Sequence, residues 1–179
     1  MDQMIPWLVF CLLFLGLCIW KPNAARVFIG LFFIVMAVAV NWVLAMTKPH
    51  LFVGLGADAS LLPLYEWFFT DIIARAPQAV GILAGTGEIV LGVLMLAKGR
   101  WAALGLLGGI VFLLLITPLG IWTLPNPIMV LGLVYLLTKP LDKSLPEMLG
   151  TLRRRVRRSH SNVSKRGPTS RRRFSGEAG

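Results

Sequence analysis

Five apolar stretches, four of them long enough or nearly long enough to cross a bilayer, constrain this chain more than any other feature. They run over residues 4–20, 25–46, 77–97, 101–122 and 126–138. Polar punctuation such as Lys21-Pro22-Asn23, Thr47-Lys48-Pro49-His50 and Lys98-Gly99-Arg100 breaks them apart, and Lys139-Pro140 stops the last. About 20 apolar residues span a hydrocarbon core of roughly 30 Å. Within such a core every backbone polar group must be satisfied internally, and here that means helices. The expected fold is all-α: an integral membrane bundle of five transmembrane segments. Charged residues make up 15% of the 179 residues and hydrophobic ones 56%, whereas a soluble domain carries about 25% charged. A mean hydropathy of +0.75 agrees.

The charge is unevenly placed. The net charge is +10, and from Arg153 onward there are 10 Lys or Arg against the single acid Glu177. Residues 1–152 are nearly neutral, with 8 basic and 7 acidic side chains. Lys and Arg near span ends favour the cytoplasmic side. Five spans with the N-terminus outside put Lys21, Arg26, Lys98, Arg100, Lys139, Lys143 and the arginines at 153–158 inside, and leave only Lys48 and Arg75 outside. Four spans would reverse that balance. The expected location is a cell inner membrane, multi-pass, N-out and C-in. The first segment is expected to stay as a spanning helix: its start is acidic and its positive residues follow the apolar run, the opposite of a secretory signal.

Between the second and third segments lies a 30-residue connection. Leu61, Leu64, Tyr65, Phe68 and Ile72 recur there at helical spacing. Ser60 as N-cap and Pro63 in the first turn predict a short helix at about 60–75, lying on the membrane or folded over the mouth of the bundle. Asn23 and Asn126 are read as caps of the second and fifth segments. The tail divides in two. Leu145, Met148, Leu149, Leu152 and Val156 lie among Arg153, Arg154, Arg155, Arg157 and Arg158. This predicts a basic amphipathic helix over 142–158 that meets anionic lipid headgroups. Residues 159–179, rich in Ser, Arg and Gly, are expected to be disordered. Phe174 stands alone there, which argues against nucleic acid as a partner, since single-strand binding needs stacking aromatics.

Chemistry-bearing residues are few. Cys11 and Cys18 lie seven apart on one helix, too far for a disulfide within it. His50 and His160 make no ligand pair, so no metal is expected. Glu88 stands out, because it alone interrupts the third segment. A carboxylate at that depth is costly and is expected to face the bundle interior. Gly81, Gly85, Glu88 and Gly92 form one small-residue stripe, and Gly105 and Gly109 form another with Ala102. Gly30 shares a face with Ile34, Ala37 and Asn41 on the second segment. Such stripes let helix backbones approach closely. Glu88, Asn41 and Thr86 are the candidates for binding a polar ligand, a quinone headgroup or a proton. Counted as straight helices from level ends, Asn41 and Glu88 differ in depth by about 7 Å, so a direct bond needs tilt or a water. Arg26 is expected to snorkel to headgroups.

The runs Arg26-x-x-x-Gly30, Gly85-x-Gly87-Glu88-Ile89-x-x-Gly92 and Lys98-Gly99-Arg100-Trp101-Ala102-Ala103-Leu104 resemble the DoxX family of small bacterial membrane proteins. The resemblance covers residues 25–141. It implies a four-helix membrane core, with residues 1–24 an additional N-terminal helix. Where that family often carries Gly and then Lys, this chain has Ala37 and Asn41. The resemblance implies a setting near quinone-linked sulfur oxidation or membrane redox-stress complexes, hence a small subunit or accessory protein with a quinone as cofactor and a soluble or membrane oxidoreductase as partner. Two other classes fit the residues alone: a proton- or solute-coupled carrier using Glu88, and a membrane anchor that recruits a partner through its basic tail.

Overall fold

Prolines set the starts of most helices. The computed structural model describes residues 4–58 and 60–147. Helix α1 is Met4–Trp20. Helix α2 starts at Pro22, runs α-helical to Met36, widens into a π-helix over Ala37–Leu44 and closes with the turn Ala45–Thr47. Pro49 opens α3, Pro49–Ala57. Pro63 opens α4, Pro63–Trp67, which continues as a π turn, Phe68–Ile72, and a 3-10 turn, Ile73–Arg75. Pro77 opens α5, Pro77–Leu96. Helix α6 is Arg100–Ile116, followed by 3-10 turns at Thr117–Leu119 and Ile121–Thr123. Helix α7 is Asn126–Leu137. A proline at the first helical position loses nothing, because its missing N–H would have no partner there.

This arrangement corrects three expected caps. Lys21 precedes α2, and Pro22 and Asn23 lie inside its first turn. Leu62, not Ser60, precedes α4. Pro125 precedes α7, which frees the Asn126 side chain for another use. The connection also holds a helix, α3, that periodicity did not reveal. After Ile116 the chain tightens into 3-10 turns around Pro118 and at Ile121–Thr123 before α7.

The chain divides into two units, Met1–Ser144 and Leu145–Gly179, and the helices α1 to α7 lie in the first. The amphipathic helix expected over 142–158, its arginines and the tail at 159–179 fall almost wholly outside the described residues. Three helices are long and apolar enough to cross a membrane: Pro22–Thr47, Pro77–Leu96 and Arg100–Leu119. These mark the chain as a membrane protein. Met4–Trp20 and Ile121–Leu137 are shorter apolar helices.

The packing order closes a ring: α1 against α2, α2 against α5, α5 against α6, α6 against α7, and α7 back against α1. Apolar side chains point out from it, with Leu83 75% exposed and Leu13, Val111 and Leu131 also outward. Lipid tails are the solvent such a surface suits. Inside the ring, Phe14, Ile29, Phe33, Met95, Leu106 and Leu133 form the main core.

Small residues make the ring tight. A Cβ on Gly92 would lie 2.6 Å from the carbonyl oxygen of Gly30, and one on Gly81 would lie 2.2 Å from the Ala45 Cβ. Gly85 meets Trp42 and Ala37, Gly105 meets the backbone of Leu94 and Met95, and Gly109 meets the Met95 side chain. These contacts weld α2 to α5 and α5 to α6. At the end of the ring where α5 turns into α6, Gly99 takes a positive φ of 58°, and its N–H donates to the Leu141 carbonyl at 2.7 Å. At the opposite end the connection lies across the bundle: Leu61 N–H donates to the Pro118 carbonyl at 2.9 Å, and Tyr65 Oη donates to the Leu115 carbonyl at 2.8 Å.

Arg26 does not snorkel. It is 1% exposed, and its Nη2 donates to the Lys143 carbonyl. The segment after α7 folds back beneath the start of α2, so the guanidinium finds a backbone carbonyl before it reaches a headgroup.

Candidate functional site

Ala45 seats against Gly81, so the end of α2 lies level with the second turn of α5 rather than with its first residue. From that shared level Asn41 is four residues down α2 and Glu88 seven down α5. The remaining offset is about 4–5 Å, which the two side chains bridge. Asn41 Nδ2 donates to Glu88 Oε2 at 2.5 Å. The bond is direct, and the 7 Å offset expected from level helix ends is corrected. The π-helical stretch contributes by bringing Ala37, Asn41 and Trp42 together against the Gly81–Gly85 face. A π stretch adds a residue to the turn and commonly sits at functional positions.

Glu88 is 6% exposed and lines a cavity of about 480 Å³. That volume is within the usual range for small-molecule sites, about 300–1,000 Å³. Its wall is mostly aromatic and aliphatic, with Phe32, Phe33, Phe112 and Trp122 from the ring and Phe52, Phe68 and Phe69 from the connection. The polar groups on it are Asn41, Glu88, Thr123, Asn126 and the indoles of Trp7 and Trp122; among the described residues no Lys, Arg or His lines it. Thr123 satisfies its hydroxyl locally, within hydrogen-bond reach of the Gly120 and Thr117 carbonyls.

Of the three candidates from sequence, the fold brings two together. Thr86 is turned away: it is exposed, and its hydroxyl bonds back to the Ile82 carbonyl at 2.7 Å on its own helix. Trp7 and Asn126 belong to the cavity and were not among the candidates. Trp7 Nε1 donates to Asn126 Oδ1 at 2.9 Å, joining the starts of α1 and α7. Asn126 between Pro125 and Pro127 resembles a helix cap, and nothing in its local pattern signals a lateral bond across 119 residues. The one available signal was a fully polar side chain inside an otherwise apolar stretch.

Cys11 and Cys18 are buried and free, packed in the core of the ring. Among the described residues no group of three or more His, Cys, Asp or Glu could hold a metal ion. Comparison of the chain with models of known protein families, with curated proteins and with solved structures gives no match.

Chemically, the cavity can enclose an apolar body and offer a few polar contacts on its wall. The acid–amide pair is the strongest of these. With Oε2 bonded to Asn41, the second Glu88 oxygen remains available for a ligand or a proton.

Proposed function

We propose that this chain is a five-span membrane protein, N-terminus outside and C-terminus in the cytoplasm, that binds a lipid-soluble molecule with a polar head inside its helix ring. A quinone is the ligand class that fits best, and the role is that of a small subunit or accessory protein beside a quinone- or redox-linked complex in the inner membrane. One observation carries the reading: an apolar, aromatic-rich cavity with the buried Glu88 bonded to Asn41 on its wall. A purely structural ring would gain stability by filling that volume with side chains, since empty apolar space forfeits dispersion contacts. A quinone supplies a flat ring for the aromatic wall and oxygens for the polar groups. The two shorter helices, at 17 residues each, cover about 25 Å and complete a five-helix ring through most of the bilayer. The DoxX-like runs around Glu88 and Lys98 fit the same setting.

The test is chemical extraction. Protein solubilised gently from its own membranes should release close to one quinone per chain. Ala84→Phe, which projects a ring from α5 into the cavity, should release far less while eluting as the same species. Wild-type extracts with no more quinone than an unrelated helical bundle would end this reading. Recovery of an oxidoreductase in the same gentle preparation supports the accessory role.

A further inference from the structure

Asn126 carries a feature that the reading above does not use. It is fully buried, and its Nδ2 has no hydrogen-bond partner among the described residues. The orientation of the amide is fixed by chemistry: the Trp7 indole can only donate, so the Asn126 atom facing it must be the oxygen. The nitrogen, with two hydrogens, is left as an unpaired donor in a side chain on the cavity wall. An unsatisfied buried donor is expensive and rare in native proteins. Trp7 is itself braced, stacked on Phe10 at 5.0 Å and tilted against Phe32 at 5.9 Å, so the amide is held in place rather than free to turn.

The position is distinct from that of Glu88. Leu91 of α5 packs on Gly108 of α6, and Leu133 of α7 packs on Gly109. Toward the end covered by the connection, Glu88 lies three residues beyond Leu91 and Asn126 seven beyond Leu133. Their heights along the ring therefore differ by about 7 Å. Two of the polar stations on the cavity wall thus lie at different heights, one an acid–amide pair on α5 and α2, the other an unpaired donor on α7.

We propose that Asn126 is a ligand-recognition residue whose Nδ2 donates to a carbonyl oxygen of the molecule in the cavity, with Trp7 as the positioning residue that aims it. The inference rests on the cavity being a ligand site and adds that its occupant must present an acceptor at the Asn126 station. Lipid-soluble molecules with carbonyls meet that demand, and pure hydrocarbons do not.

Equilibrium binding to the full chain in nanodiscs tests it, with two probes: decylubiquinone, which carries carbonyls, and decylbenzene, which does not. Replacing both hydrogen-bonded partners by apolar groups of similar shape is the mildest way to remove the donor, so the variant is Trp7→Phe with Asn126→Leu. Trp7→Phe alone, which keeps the donor, is the control. Decylubiquinone should bind the double variant about tenfold more weakly than wild type, the size of one lost buried hydrogen bond. Decylbenzene should bind both alike, and the control should lie between. Equal decylubiquinone affinity in wild type and double variant overturns the Asn126 assignment and leaves the cavity reading intact. Failure of wild type to bind decylubiquinone overturns both. Should the double variant not assemble, the infrared spectrum of carbon-13 carbonyl-labelled decylubiquinone bound to wild type decides: at least one carbonyl stretch should fall below its frequency in lipid, and two unshifted stretches refute the proposal.

Discussion

At Glu88 the local chemistry is set by one partner. Asn41 Nδ2 donates to it, and among the described residues the cavity wall around it holds no basic side chain. A glutamine offers an oxygen in the same place, so Glu88→Gln should keep the bond and change stability by less than about 1 kcal/mol. Glu88→Leu removes the acceptor and leaves the half-buried Asn41 amide without it. That should destabilise by about 1–3 kcal/mol, and Asn41→Leu in the same chain should recover part of the loss. Glu88→Lys brings a cation with no partner into a low-dielectric wall, and it should yield little assembled protein. Thermal unfolding in detergent, followed by helical circular dichroism, orders the three variants. Sequence singled out Glu88 because one acid among apolar residues is conspicuous. It could not place Asn126 or Arg26, whose partners, Trp7 and the Lys143 carbonyl, lie more than a hundred residues away.

Helix starts and ends were legible where proline or a glycine–lysine turn marks them, because those residues act locally. Pro77–Leu96 and Asn126–Leu137 fall close to the expected bounds. The caps were misread for a related reason: a proline in the first turn already removes an orphan N–H, and the structure has no need of the nearby Asn or Ser. The helix Pro49–Ala57 escaped notice because its apolar residues and glycines carry no one-sided periodicity. The π-helical stretch has no local signal at all, since it is stabilised by what packs on it. Close helix contacts give the sharpest prediction at this scale. Gly92→Leu must displace the Gly30 carbonyl and the Ile34 side chain. It should cost about 1–3 kcal/mol by overpacking, or prevent assembly. Gly87 on the same helix is exposed and has nothing within 4 Å of a Cβ, so Gly87→Ala should leave the thermal midpoint unchanged or slightly raised. Equal damage from both would show that α2 and α5 do not meet along this seam.

Across the whole molecule, the all-helical, membrane-embedded character was plain from apolar length and low charge. The closed ring was not, because its order depends on which glycine faces which neighbour. The cavity was not either: it is space bounded by all five ring helices and the connection, and no single stretch encodes it. The proposed orientation has its own check. Reporter fusions after residue 150 should score cytoplasmic and fusions near Ala57 external; a periplasmic signal from the first would rule out five spans. The most direct measurement of the central claim is photolabelling in native membranes with an azido-quinone, followed by peptide mapping. Labels should fall on cavity residues such as Phe32, Ala84, Phe112 and Trp122, and excess unlabelled quinone should suppress them. Labels confined to the outward faces, at Leu83, Val111 and Leu131, and unaffected by competitor, would contradict a ligand site inside the ring.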